Sequence, residues 1–541
     1  MENAAIARQL EAFAALLELN GAGYYTARAY RRAAELIRDT RAPVAELVLA
    51  GRVRELRGIG PGIEARLREL VETGELAELR ELEETLLPEL VGLGHLLGVG
   101  PKRMRELAQA LDVRTAEEFR AAVLEGRLAS VRGVGPKTEA KLRAGLDRAA
   151  KPRPRRGLLL NRAWALAGGI GDALGGEVAG DVRRWRDASE DFAVVVPAED
   201  ADAVLDEFER LTEIVSVVER DARRALGVTV EGVPVEVLVP APSEAGTALV
   251  RATGSAAYVA ALEPLPDAAD EQAVYAALGV PWCPPELRER PHRDEAPAYL
   301  LDAGDVRGDL HVHSTWSDGK ATILEMAAAA VARGYEYLAI CDHTTNVRVV
   351  PGLDADAVRR QAEEIAAANE RVAPFRVLRG IECDILPDGR LDLPDDVLAE
   401  LDWVQLSLHA GQRQAARELT AKVTEAMRHP AVRCLSHPTG RLINHRPPNA
   451  LDLDRAFEVA REEGIAVEVN GLPDRLDLRD EHVRLAIDTG VQIAVNTDAH
   501  SVRGLGNMRL AVATARRGCA TVADVVNTKP LEQVLALRQP S

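Results

Sequence analysis

From residue 305 onward one device recurs. An apolar run of strand length closes on a residue suited to holding a metal, and a loop and a helical stretch follow. "GDLHVHSTWSDG" (308–319) carries His311, His313 and Asp318, and "YLAICDH" ends in Asp342-His343. "FRVLRGIECDI" carries Glu382, "DWVQLSLHAG" ends near His409, and "VRCLSHPTGR" contains His437. "IAVEVNG" ends near Asn470, and "VQIAVNTDAH" ends in Asp498 and His500. Helical stretches such as "ILEMAAAAVARG" and "AVRRQAEEIAAANERV" lie between the runs. Strand alternating with helix predicts parallel strands, and parallel strands that close into a barrel bring their carboxyl ends to one face. Alternate residues of a strand share a face, so His311 and His313 converge. Six of the eleven histidines fall in this one register. A single histidine at a strand end is ordinarily a satisfied surface or core residue; six, joined by Asp318, Glu382 and Asp498, predict a metal centre.

Two arginines, Arg441 and Arg475, follow ligand-bearing strands and are candidates to bind a substrate phosphate, although the same placement suits an ordinary surface arginine. Cys341 and Cys383 adjoin candidate ligands but fall on strands, which predicts burial. With Cys283, Cys434 and Cys519 they make five scattered cysteines without a CxxC pair, a usage that fits a reducing cytoplasm. No apolar run approaches the roughly 20 residues a membrane span needs, and the opening "MENAAIARQLEAFAALLEL" reads as an amphipathic helix. No membrane partner is expected.

The amino-terminal part carries a second repeated device: "LRGIGPGIEARLREL" (56–70), "LLGVGPKRMRELAQAL" (96–111) and "VRGVGPKTEAKLRAGL" (131–146). Each pairs a Gly-hydrophobic-Gly-Pro turn with an amphipathic helix. The glycine pairs Gly58 and Gly60, Gly98 and Gly100, and Gly133 and Gly135 allow a tight turn with close backbone approach. Proline opens the helix at a position that needs no N–H donor. Backbone N–H groups at such a terminus make an anion site, to which Lys102 and Lys137 add charge. The segments resemble helix-hairpin-helix motifs, which grip DNA phosphates without reading bases. A net charge of −18 would ordinarily weigh against nucleic acid. The balance is uneven, however: "KPRPRRGLLLNRAWAL" (151–166) is basic and proline-broken and reads as a linker.

Around these turns the resemblance widens. "LLELNGAGYYTARAYRRAA" (16–34) and "VPWCPPELRE" (280–289) resemble the two ends of the polymerase region of bacterial family X DNA polymerases. In that family "GSxRRGK…GDIDIL" supplies the palm. Here the matching stretch is "GDVRRWRDASEDFAVVV" (180–196), in which Asp191 fits the first metal-binding aspartate and Ala193 stands at the second. The third falls at Glu236, and Asp181 replaces a triphosphate-binding serine. Two-metal nucleotidyl transfer needs carboxylates on both sides of the metal pair, so Asp191 and Glu236 predict a degenerate site with polymerization weak or absent. Schiff-base removal of a deoxyribose phosphate needs a lysine, and residues 1–101 contain none.

The carboxyl-terminal signature, "HxHSxxSDG", "DH", "GxE", "SxH", "HPTGR" and "NTDAH" in order, resembles the polymerase and histidinol phosphatase (PHP) family over nearly all of 305–541. That resemblance implies three divalent cations, manganese, zinc or iron. His311, His313, Glu382 and Asp498 would hold the first; Glu382 would bridge to a second with His409 and His437; Asp318, His343 and His500 would hold the third. "HAGQRQAA" after His409 departs from the family pattern and bears on substrate contacts.

A multidomain chain is therefore expected. Residues 1–80 form a helical domain with a helix-hairpin-helix, and 81–150 a fingers-like domain with two more. Residues 151–290 form an α/β nucleotidyltransferase-like palm and thumb, 291–304 a linker, and 305–541 a distorted (βα)7-type PHP barrel. The expected function is metal-dependent phosphoester hydrolysis in DNA repair, as a 3′-5′ exonuclease or 3′-end processing enzyme acting on gapped, nicked or 3′-ended DNA. The alternatives are an active family X polymerase with an auxiliary nuclease, a non-catalytic DNA-binding scaffold, and a small-molecule phosphatase of the histidinol-phosphate type.

Overall fold

The computed structural model describes residues 1–19, 24–77, 79, 90, 93, 97, 99, 101–131, 133–150, 156–291, 299–347 and 350–537. The turn glycines Gly98 and Gly100 lie outside the described residues. The chain forms two compact units: 1–158 with 168–177 and 190–242, and 159–167 with 178–189 and 243–541. The segment expected as palm and thumb contributes to both.

The first unit begins with helices α1 (Asn3–Leu19) and α2 (Tyr24–Asp39). Apolar residues three and four apart give each helix a stripe, and Ile6, Leu10 and Phe13 pack with Tyr30, Ala34 and Ile37. Phe13 and Tyr30 meet edge to face at 5.0 Å. Helix α3 (Pro61–Thr73) has its proline in the first turn and ends on Gly74 in the left-handed conformation. Helices α4 (Pro101–Leu111), α5 (Ala116–Leu124) and α6 (Pro136–Ala150) share a second core of Leu107, Leu111, Phe119, Val123 and Leu142. Thr115 and Glu118 close a capping box on α5. The unit also holds strands β1 (Phe192–Val195), β2 (Ile214–Arg220), β3 (Arg224–Thr229) and β4 (Pro234–Leu238), ordered β1-β4-β3-β2. β1 runs parallel to β4, and the other pairings are antiparallel.

The second unit is dominated by seven strands: β5 (Gly308–Val312), β6 (Tyr337–Ile340), β7 (Arg376–Asp384), β8 (Trp403–Ser407), β9 (Val432–Leu435), β10 (Ala466–Asn470) and β11 (Ile493–Asn496). They pair in chain order, all parallel. The His313 amide donates to the Ala499 carbonyl at 2.9 Å and brings the two ends of the sheet together as a nearly closed barrel. The strands alternate two apolar faces, as expected where both are covered. Val404, Leu406, Val467, Val469, Ile493 and Val495 belong to one large core. Trp403, Ala466 and Ala494 point to the opposite face. That second face turns polar toward the carboxyl ends, at Gln405, Glu468 and Asn496, all buried.

One sequence expectation is corrected. The linker reading ran to residue 166, but a helix spans Leu160–Leu174. Leu160, Ala163, Ala167, Ile170 and Leu174 are buried at helical spacing, a stripe masked by the basic residues around it. Among the described residues no helix is long and apolar enough to cross a membrane.

Candidate metal centre

The strand ends of the barrel bring all nine expected ligands together. Glu382, 1% exposed on β7, is the hub. His437 Nε2 and His343 Nδ1 each lie 2.8 Å from its carboxylate, and His311 Nε2 and His409 Nε2 each lie at 3.5 Å. Asp498 lies 3.0 Å from His313 Nε2 and 3.8 Å from His311 Nε2. Asp318 lies 3.2 Å from His500 Nε2 and 3.6 Å from His343 Nε2. His313 and His500 stack at 4.2 Å. Three groups offer donor atoms all within 4.8 Å of one another: His313, Asp318, His343 and His500; His311, His313 and Glu382; His343, Glu382 and His409.

Local backbone makes this convergence possible. In the turn that returns Asp318 to the histidines, a Cβ at Gly319 would lie 2.7 Å from the His313 carbonyl oxygen. Only glycine fits there. His437 (φ +22°) and Asp498 (φ +52°) hold positive φ although neither is glycine, a strain that collects at functional sites.

Four buried atoms at this centre, His311 Nε2, His313 Nδ1, His343 Nδ1 and Glu382 Oε2, have no hydrogen-bond partner. An unpaired buried polar group costs about 1–3 kcal/mol, so four in one place are hard to sustain without a ligand. His343 Nδ1 and Glu382 Oε2 stand at hydrogen-bond distance without bonding. Imidazole nitrogens and carboxylates aimed at shared points form the donor set a divalent cation takes. The residues fit such an ion.

The electrostatics agree. Burial would raise the Glu382 and Asp498 pKa values, yet the surrounding imidazoles hold both well below the usual carboxylate range. Asp318 is likewise depressed against burial, by His343 and His500. Burial, with the charges of His500 and His343, pushes His313 down to about 3 and leaves its ring neutral. Burial also opposes the His343 cation, but Glu382 and Asp318 outweigh it and raise that ring to about 10. Cation binding would displace such protons.

Sequence reasoning missed the residues that orient these rings. His311 Nδ1 lies 2.7 Å from the buried Glu468, and His409 Nδ1 lies 2.8 Å from Asp384. His500 Nδ1 donates to the Asp498 carbonyl at 2.8 Å. Each contact ties Nδ1 and turns Nε2 toward the centre. Glu468 also accepts from Gln405 Nε2 at 2.9 Å, Asn496 Nδ2 at 3.0 Å and the His437 amide at 2.8 Å. A signal was present: Asp384 stands two residues after Glu382 and Glu468 two before Asn470, each on the face that bears the site.

The arginines differ. Arg475 Nε lies 3.9 Å from Asp498, and its buried Nη1 has no partner. Arg441 is buried and engaged, donating to Asp187 at 2.6 Å and to the Leu476 carbonyl. Cys341 and Cys383 are fully buried, and burial raises both thiol pKa values.

In the first unit, Gly58 (φ +103°) and Gly133 (φ +82°) adopt the turns expected of them. Gly60 and Gly135 directly precede the helices that begin at Pro61 and Pro136. Lys102 and Lys137 occupy the second positions of their helices. Asp191 is exposed at the foot of β1, where Ala193 pairs in register with Glu236 of β4. The Glu236 carboxylate forms an ion pair with Arg224, which also reaches Glu219 at 3.0 Å. Asp181 pairs with Arg184.

Family models match three stretches: a helix-hairpin-helix domain at 1–76, a SAM-like helix-hairpin-helix tandem at 93–148, and a PHP domain at 309–471. The chain is similar over 98% of its length to the Bacillus subtilis "DNA polymerase/3'-5' exonuclease PolX", 32% identical across 98% of that protein. It is also similar to a "probable phosphatase" of Caldanaerobacter subterraneus subsp. tengcongensis, 27% identical over 38% of this chain and 80% of the relative. A "probable phosphatase" of Photobacterium profundum is 29% identical over 37% of the chain and 80% of the relative.

Proposed function

The chain belongs to the PolX family of bacterial DNA polymerases and 3′-5′ exonucleases, and from that premise we propose that its barrel is a metal-dependent phosphodiesterase. It shortens DNA from 3′ ends, and strand synthesis is weak or lost. The observation that carries this reading is the contrast between two sites. The nine candidate ligands of the barrel lie close together, with four buried donor atoms left unpaired. At the palm, Ala193 stands where a second acid is needed, and Arg224 occupies Glu236.

His311, His313, Glu382 and Asp498 would hold one cation. Glu382, His409 and His437 would hold a second, and Asp318, His343 and His500 a third. When bound, such ions acidify water near neutral pH and neutralise charge on a phosphate. The chain's own residues prepare the site for them. Glu468, Asp384 and the Asp498 carbonyl fix three rings with Nε2 inward. Glu382, Asp498 and Asp318 stay ionised because the imidazoles around them stabilise their charge. Arg475 offers an unpaired Nη1 beside Asp498, where a phosphate oxygen would accept from it.

The helix-hairpin-helix turns support DNA as the substrate, at gaps, nicks or free 3′ ends, and weigh against a histidinol-phosphate type of activity. All five cysteines are free, which fits work in the cytoplasm. The competing reading, an active polymerase with an auxiliary nuclease, has the exposed Asp191 in its favour.

One experiment decides between them: a labelled primer–template with Mn²⁺, with and without nucleotides. Shortening that disappears in His343→Ala is the expected result. Extension that disappears in Asp191→Ala would overturn the loss of synthesis.

A further inference from the structure

Beside the metal centre Arg413, Arg446 and Arg475 lie on loops that touch one another, and of the three only Arg475 forms an ion pair among the described residues, with Asp498. Arg446 donates from Nε to the Gly440 carbonyl at 2.8 Å. Gly440 holds φ +58°, and a Cβ there would lie 3.0 Å from Gln412 Nε2, so the two loops touch at that point. Gln412 in turn donates to the Leu408 carbonyl at 2.7 Å, which anchors the segment carrying Arg413. The Ile443 amide donates to the Asp474 carbonyl at 2.7 Å and so joins the loop of Arg475, itself 3.9 Å from Asp498, to the loop of Arg446. Burial and the like charges of Arg475 and Arg413 push the Arg446 guanidinium below its usual pKa, in keeping with the contacts between their loops.

Among the described residues, neither Arg413 nor Arg446 forms an ion pair. Of the acids facing Arg446, Asp477 is buried and accepts from the Thr439 amide at 3.1 Å, and Asp474 forms no ion pair among the described residues. Arg441 is already held by Asp187 and is not part of the group. With 85 acidic against 67 basic residues, unpaired guanidinia do not gather by composition. Three cationic forks next to a phosphate-handling centre suit further phosphate oxygens.

We propose that Arg413, Arg446 and Arg475 clamp the phosphodiester next to the scissile one, so that the barrel selects the end of a nucleic-acid strand over a small phosphomonoester. The identity of the ligand rests on the phosphodiesterase reading above. The "HAGQRQAA" segment, which departs from the family pattern, supplies Arg413 and acquires a role in specificity.

Titration calorimetry of the full-length, Mn²⁺-supplied protein tests this with d(pTpTpT) and dTMP, ligands short enough to report on the barrel alone. The trinucleotide is expected to bind at least about tenfold tighter than the mononucleotide. Arg413→Ala with Arg446→Ala should erase that advantage and leave dTMP binding within about twofold. Arg413→Ala alone, an exposed position where folding is not at stake, should already weaken the trinucleotide severalfold. Equal weakening of both ligands, an unchanged ratio in the variants, or no advantage in the wild type overturns the clamp. If the wild type hydrolyses oligonucleotides but shows no trinucleotide advantage, the clamp fails and the phosphodiesterase reading stands. An intact advantage without hydrolysis under any cation supplied fails the other way round.

Discussion

Glu468 touches no expected substrate, yet it holds two candidate ligands at once, through His311 Nδ1 and the His437 amide. Its pKa is lowered although burial opposes this, because His311 and His437 stabilise its charge. A neutral amide of the same shape would leave the His311 tautomer undetermined. Glu468→Gln is expected to weaken Mn²⁺ binding about 10–100-fold, read by calorimetry, with the melting profile nearly unchanged. Unaltered metal affinity would count against the orienting role. A second residue-scale prediction concerns acid stability. Glu271 is buried between Arg183, at 2.8 Å, and Arg288. Burial alone would raise its pKa, but the two guanidinia lower it below the ordinary 4.5. A carboxylate depressed in the folded state stabilises fully above its unfolded pKa, and that stability is lost as pH falls through the folded value. Glu271→Gln should therefore destabilise the barrel unit at pH 7 by about 3–5 kcal/mol. It should also flatten the fall in melting temperature below about pH 4.5. A parallel downward shift at every pH would show that the loss is one of packing.

At the scale of elements, the strands and turns were legible because their chemistry falls at the ends. A polar residue closing an apolar run marks where a barrel strand stops, and Gly-x-Gly-Pro marks where a helix starts. Features whose partners lie far away in sequence were not legible. Asp384 and Glu468 sit inside apolar runs, and only the closure of the barrel gives them rings to orient. The engagement of Arg441 by Asp187 joins positions 254 residues apart. The helix at Leu160–Leu174 hid behind the prolines and arginines that precede it. The turns also allow a clean backbone test. Gly58 holds φ +103°, and a Cβ at that position would meet nothing within 4 Å, so only backbone conformation resists a larger residue. Gly58→Val should cost roughly 1–2 kcal/mol of turn geometry and weaken duplex binding about 5- to 30-fold by fluorescence anisotropy. Trinucleotide binding should be unaffected. Wild-type duplex affinity in the variant would remove this turn from the DNA-binding surface.

At the scale of the whole molecule, a chain of net charge −18 must hold a polyanion through local devices. Backbone amides at helix N-termini and a few arginines can do so where the global field repels. Under the proposed function one covalent chain carries both the phosphate-gripping turns and the hydrolytic centre, so DNA held by the first would be present at the second at raised effective concentration. Phosphate contacts release counterions, so binding to long DNA weakens steeply with salt, whereas a substrate with a single phosphodiester has few counterions to lose. Between about 50 and 200 mM salt, kcat/KM for 3′-end shortening of a long duplex should fall by an order of magnitude or more. Hydrolysis of the p-nitrophenyl ester of thymidine 5′-monophosphate should change less than about threefold over the same range. Asp191→Ala should leave both profiles in place, because the palm residue takes no part in either. Equal salt sensitivity for the two substrates would mean that the barrel alone selects DNA and that the amino-terminal turns do not deliver it.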